Sequence, residues 1–320
     1  MPVELSDTLV IGITATALFD LSEADKVFRA KYNEDEETAI EEYRSYMLEH
    51  EDDTLKDGTG MPLVAALLNL NKYQPKDESP LIDVVVLSRN SPETGLCVLQ
   101  NIREREIDIT RHAFTGGEPV IDYLDAFEVD LFLTTNVSDA QIVVDEKKCA
   151  VAVVKAPPGD PAAIPKDQVR IAFDGDAVLF DEESEIVYKT MGLEHFQESE
   201  NRQKDKPMAE GPYAAFLKKL SRLQERLPFK VELSPIRIAI ITARSAPAEI
   251  RVVKTLRHWG VYVDETFFLG GVEKTKILEA FKPHIFFDDQ DLHLEKVANI
   301  ISSGKVPYLS DSPLNIKGTA

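Results

Sequence analysis

Two cysteines, Cys97 and Cys149, are all that 320 residues contain, which excludes a disulfide framework and fits a reducing compartment. No apolar run approaches the roughly 18–20 residues that a membrane-spanning helix needs. The first residues, MPVELSDTLVIGITATALF, carry acids where a secretory signal would carry bases, so the segment reads as mature sequence. Basic residues are scarce: 36 Lys and Arg stand against 56 Asp and Glu, a net charge of −20. That balance argues against nucleic acid and anionic membranes as partners, and leaves a small anionic substrate that meets a local cluster of cations or a metal. The six histidines show no His-x-His or His-Glu-x-x-His spacing, which speaks against zinc. Gly270-Gly271-Val272-Glu273-Lys274-Thr275 looks like a phosphate-binding loop, but Glu273 stands where glycine must precede the lysine. These absences leave the expectation of a cytoplasmic protein with a small-molecule partner; self-association is left open.

What is present suffices for a large core. Apolar residues make up 43% of the chain, with 15 Phe, and the length allows two domains of about 150 residues each. Short apolar runs alternate with amphipathic stretches. Thr8–Ile13, Leu81–Leu87, Asp130–Leu133, Ile171–Phe173, Arg237–Ile241, Thr266–Leu269 and His284–Phe287 read as strands, and the segments between them as helices. This alternation predicts a parallel sheet with helices on both faces.

The two halves also repeat. Residues 82–136 slide onto residues 236–290 without a gap at a constant offset of 154, matching Phe114 to Phe268, Gly116-Gly117 to Gly270-Gly271 and Leu124-x-Ala126-Phe127 to Leu278-x-Ala280-Phe281. The stretch Ile11–Asp20 lies over Ile171–Asp181 with one gap. Such self-similarity predicts a tandem duplication. Its mismatches are where the chemistry lies. Asp174 and Asp176 face Thr14 and Thr16, Lys274 faces Val120, and Asp288-Asp289 faces Thr134-Thr135; only Thr242 keeps a hydroxyl opposite it, on Ser88. We expect one active unit at 161–320 and one degenerate unit at 1–160, with a small cap inserted at about 182–233.

Ligands of open parallel sheets sit beyond the carboxyl ends of the strands, where each of these charged motifs falls. A carboxylate at Asp174 can attack phosphorus and form an aspartyl phosphate. Asp176, two residues on, can protonate the leaving oxygen and later take a proton from water. An anionic nucleophile facing an anionic phosphate requires a cation, and oxygen ligands from Asp174, Asp288, Asp289 and a backbone carbonyl at Asp176 suit Mg²⁺. Thr242 and Lys274 supply a hydroxyl and a charge for the transferring phosphoryl group. Gly175, Arg244, Ser245, Lys206 and Phe180 complete the expected substrate contacts, with the Thr115–Gly117 turn a further candidate for the base. Lys276 stands as an alternative to Lys274.

Asp174-Gly-Asp176, Thr242, Lys274 and Asp288-Asp289 resemble the four motifs of the haloacid-dehalogenase-like superfamily. Phe173-Asp-Gly-Asp-Ala-Val-Leu-Phe-Asp181, Ile241-Thr-Ala-Arg-Ser-Ala246, Thr255-Leu-Arg-His-Trp-Gly260, Pro283-His-Ile-Phe-Phe-Asp-Asp-Gln290 and Lys206-Pro-Met-Ala-Glu-Gly-Pro212 are similar to class I cytosolic 5′-nucleotidases. In the first half, Ala17-Leu-Phe19, Tyr46-Met-Leu-Glu-His-Glu51 and Phe114-Thr-Gly-Gly117 carry the same likeness. The resemblance covers roughly residues 8–310; the acidic segment Asn33–Thr38 departs from it. It implies two Rossmann-like α/β units in tandem and Mg²⁺-dependent hydrolysis of nucleoside 5′-monophosphates such as AMP, with dCMP or IMP as further substrates. In these terms Asp174 is the nucleophile, Asp176 the acid–base, Thr242 and Lys274 the phosphate ligands, and Asp288 the metal ligand supported by Asp289. The alternatives are a phosphatase of the same mechanism acting on another small phosphomonoester, and a non-catalytic nucleotide sensor.

Overall fold

A computed structural model describes residues 5–32, 35–76, 78–227 and 234–316. Asn33 and Glu34 of the acidic segment, the end of the expected cap at 228–233 and the first four residues lie outside the described set. Ten strands form one continuous sheet: β1 (Leu9–Ile13), β2 (Ile82–Ser88), β3 (Arg111–Phe114), β4 (Leu131–Thr134), β5 (Ala150–Val154), β6 (Val169–Phe173), β7 (Ile236–Thr242), β8 (Glu265–Phe268), β9 (Ile285–Asp288) and β10 (Ser303–Lys305). Their spatial order is β3-β2-β1-β4-β5-β10-β9-β6-β7-β8. Each half therefore has the same order, read outwards from the middle, and neighbours within each half are parallel.

The halves meet where β5 and β10 pair antiparallel, Gly304 opposite Val154 and Lys305 opposite Val153. Glycine is needed at this seam. A Cβ on Gly304 would stand 2.8 Å from Ala152 Cβ and 3.1 Å from the Phe287 ring. Because the seam is antiparallel, the carboxyl ends of β1–β5 lie on the opposite edge of the sheet from those of β6–β9. Cys149 leads directly into β5, whose Ala-Val-Ala-Val-Val run is a buried strand.

Side chains alternate across the sheet and build its layers. Leu9, Ile11, Ile13, Ile171, Phe173, Ile238 and Ile240 point to one face, where a single core runs through both halves. Helices Met61–Leu68, Leu96–Glu104, Ala214–Arg226 and Glu249–Trp259 cover that face with residues such as Leu67, Ile102, Leu220 and Val252. On the other face the core is divided. Val10, Leu87 and Phe132 pack under Val137–Asp145, while Ala172, Ile241 and Phe286 pack under Thr275–Phe281 and Asp291–Val297.

The expected cap at 182–233 is thereby narrowed. Its second helix, Ala214–Arg226, buries Phe216, Leu217 and Leu220 against the sheet and is the crossover that a parallel β6–β7 pair requires. It also reaches the first half, where Lys219 Nζ lies 2.7 Å from Asp130 Oδ2. Helix Glu183–Arg202, kinked at Gly192, is the part of the insertion outside the sheet layers. No helix among the described residues is long and apolar enough to cross a membrane.

Candidate active site

Four strand ends on one edge of the sheet supply the site. Asp174 follows β6 and lies in extended backbone; its Oδ1 accepts from the Gly175 amide at 2.7 Å. Gly175 is small for a reason. A Cβ there would come within 3.3 Å of Thr242 Oγ1, which belongs to the last residue of β7. Thr242 Oγ1 in turn accepts from the Arg244 amide at 3.3 Å, which fixes the turn after β7. That turn is closed by Gly270 and Gly271, both at positive φ, whose amides donate to the Arg244 and Ala243 carbonyls.

Lys274 is the amine of the site. It is buried, with Nζ 3.0 Å from Asp174 Oδ1 and 2.6 Å from Asp288 Oδ2, whereas Lys276 is exposed. Asp288, at the end of β9, also accepts from the Gln290 amide at 2.8 Å and lies 3.1 Å from His293 Nδ1. Asp289 is bonded by the Tyr308 hydroxyl through Oδ2, while its Oδ1 is buried with no hydrogen-bond partner.

Electrostatics explain what this cluster lacks. Burial, with Asp288 adding to it against the pull of Lys274, pushes the Asp174 carboxyl up to about 7. Burial and the charges of Asp288 and Asp174 drive Asp289 well above the usual carboxylate range. Burial opposes the charge on Asp288 too, but Lys274 and His293 outweigh it and hold that group low. Burial likewise works against the Lys274 ammonium, and Asp174 and Asp288 overcome it to raise its affinity for the proton. Were all three carboxyls ionised, one ammonium would leave the site two negative charges in excess, a repulsion that adds to burial in raising Asp174 and Asp289. A hard dication suits that deficit, the oxygen donors and the orphaned Asp289 oxygen. Asp174, Asp288 and His293 already have ligand atoms within 4.8 Å of one another.

Several sequence-predicted contacts take other places. Arg244 does not face open space. Its Nε and Nη2 donate to Asp176 Oδ2 and Oδ1 at 2.8 and 2.6 Å, and its Nη1 donates to Glu200. Phe180 is fully buried with its ring 5.5 Å from Trp259, so it packs the root of the insertion and has no face free for a base. Lys206 is exposed; its carbonyl accepts from Arg251 Nε at 3.0 Å. Ser245 is half-buried, and its side chain lies beside Gly270. The Thr115–Gly117 turn follows β3, whose carboxyl end is on the far edge of the sheet, so it cannot line this site.

The sequence reading missed Glu200, Arg251, His293 and Tyr308. Only His293 had a signal, since it stands one helical turn past Asp288-Asp289. The other three are brought in by long-range packing.

The profile of the 5′-nucleotidase family matches residues 1–313. Human cytosolic 5′-nucleotidase 1B is 35% identical over 300 residues, covering 92% of this chain and 48% of the relative. The chain spans about half the length of that relative.

Proposed function

The chain belongs to the 5′-nucleotidase family, and from that premise we propose that it hydrolyses nucleoside 5′-monophosphates to nucleoside and inorganic phosphate. AMP-like substrates lead the reading, with dCMP and IMP as further candidates. The observation that carries it is the buried cluster on one sheet edge: Asp174 held by Lys274 at 3.0 Å beside Asp288, with an unpartnered Asp289 oxygen. The two halves are read as tandem haloacid-dehalogenase-like units, the first without the charged groups, and helix Glu183–Arg202 as the cap.

Asp174 Oδ attacks phosphorus while the bond to the ribose 5′-oxygen breaks, and the electron pair leaves on that oxygen. Asp176 gives the departing oxygen its proton, so the nucleoside leaves as a neutral alcohol. Water then attacks the aspartyl phosphate, Asp176 takes its proton, and the bond from phosphorus to Asp174 breaks to release phosphate. Lys274 and the Thr242 hydroxyl hold the non-bridging oxygens through both displacements. Asp174, Asp288, Asp289 and the Asp176 carbonyl would hold Mg²⁺, which would supply charge neutralisation at the phosphoryl group. His293, beside Asp288, orients that carboxylate. The cytosol, named for the human relative, is the compartment we assign.

Release of inorganic phosphate from AMP, IMP, dCMP and glucose 6-phosphate, each with Mg²⁺ and with EDTA, tests the reading. Turnover of a nucleotide that EDTA abolishes is the expected result. Turnover of the sugar phosphate alone would replace it with a broader phosphatase, and no turnover at all would leave a sensor.

A further inference from the structure

The pairing of Arg244 with Asp176 leads away from the strand ends to the inserted helix. Glu200 lies near the end of helix Glu183–Arg202 and is 2% exposed. A carboxylate that deep is tolerable only when fully paired. Its Oε2 accepts from Arg244 Nη1, and its Oε1 accepts from Arg251 Nη1 at 2.8 Å and from the Ser184 hydroxyl at 2.9 Å. Arg251 stands on helix Glu249–Trp259 and also donates to the Lys206 carbonyl at 3.0 Å. The Arg244 guanidinium is further enclosed by Met208 Sδ at 3.2 Å and by the Phe196 ring, 5.3 Å from Cζ. Two carboxyl groups and two guanidinia thus alternate in one chain, Asp176–Arg244–Glu200–Arg251.

The geometry points to Glu200 as a positioning residue: acting through Arg244, it sets the orientation of the Asp176 carboxylate, and so makes the inserted helix part of the proton-transfer device. This rests on the reading of Asp176 as the acid–base of a nucleotidase. The argument is one of degrees of freedom. Asp176 follows a glycine and precedes Ala177, which is at φ 59, so its own backbone is a sharp turn and not a regular element. The side chain is held instead by the planar fork of Arg244, a geometry that an ammonium cannot reproduce. Arg244 follows β7 on a loop, and its direction is set at the far end by Glu200. Shared between two carboxylates, the guanidinium orients Asp176 without directing its whole charge at it. Four of the five Arg244 N–H donors are thus engaged within the protein, and Lys274 and Thr242 lead the substrate phosphate.

The test separates proton delivery from folding and from binding. AMP is compared with its analogue in which sulfur replaces the 5′ bridging oxygen, because a thiolate leaves without needing a proton. In Glu200→Gln, kcat/KM for AMP should fall about 10- to 100-fold, with KM within about twofold. The loss on the sulfur-bridged analogue should stay below about threefold. Arg244→Lys should show the same split, and the double variant should lose no more than Arg244→Lys alone, as expected of residues acting in one unit. Glu200→Asp, which keeps the charge, should recover part of the AMP activity. Should Glu200→Gln fail to fold, Arg244→Lys carries the same two-substrate comparison. Equal losses on both compounds, a change confined to KM, or full AMP activity in Glu200→Gln would overturn the assignment. A wild-type protein inactive on both compounds would overturn the nucleotidase reading itself, and this inference with it.

Discussion

The two halves of the sheet share a strand order and differ in what stands at their strand ends. After β7 the Thr242 hydroxyl accepts from the Arg244 amide at 3.3 Å; after β2 the Ser88 hydroxyl accepts from the Asn90 amide at 3.2 Å. After β9 Asp288 accepts from the Gln290 amide at 2.8 Å, and after β4 Thr134 accepts from the Asn136 amide at 3.0 Å. The local turn chemistry is thus kept while the charge is exchanged. Thr16 bonds Thr135 at 2.6 Å and lies 3.2 Å from Thr14, so hydroxyls satisfy one another where the second half gathers carboxylates around an ammonium. A strand-end scaffold is stable with either set. Only the charged set creates a deficit that a cation and a phosphate can fill.

The largest expected effect separates the two halves outright. Asp174→Asn should lower AMP turnover by at least about 10³-fold with an unchanged circular dichroism spectrum; retained turnover would remove Asp174 as nucleophile. Next, saturating Mg²⁺ should raise the melting temperature of the wild type and of Thr134→Ala by a few degrees. Asp288→Asn should lose that rise, and an undiminished rise would place the metal elsewhere. The seam comes third. Gly304→Val should destabilise the fold by about 1–3 kcal/mol through overpacking against Ala152 and Phe287. Because one core spans both halves, its denaturant unfolding should remain a single transition, and two resolved transitions would show that the halves fold independently. The smallest effect belongs to the first half. Thr14→Ala and Thr16→Ala should leave kcat within about twofold; a large loss in a folded variant would mean that the first half takes a direct part in the chemistry.

Much of this was legible in the chain. Seven of the ten strands, the repeat at an offset of 154 and the charged strand ends are local patterns, and alternation of buried runs with amphipathic stretches reports them. The boundaries shifted by a residue or two; β8, for instance, runs from Glu265 to Phe268 where Thr266–Leu269 is expected. What failed had a common cause. β10 is Ser-Gly-Lys, a three-residue strand with no apolar signature, so the seam was invisible. Helix Ala214–Arg226 falls within the stretch expected as cap, although its apolar face is core. Phe180 looked like a stacking platform, Arg244 like a phosphate ligand, and the Thr115–Gly117 turn like a neighbour of the site.

By itself, the sequence determined the strand ends, the charges they carry and the asymmetry between the repeats, because these depend on residue type at fixed spacing. Only the tertiary structure decided that the repeats share one sheet, that their carboxyl ends face opposite edges, and that Glu200 from a distant helix holds Arg244. Those facts depend on the direction in which one short glycine-bearing strand pairs and on which buried charges find partners. Neither is written in the neighbours of a residue along the chain.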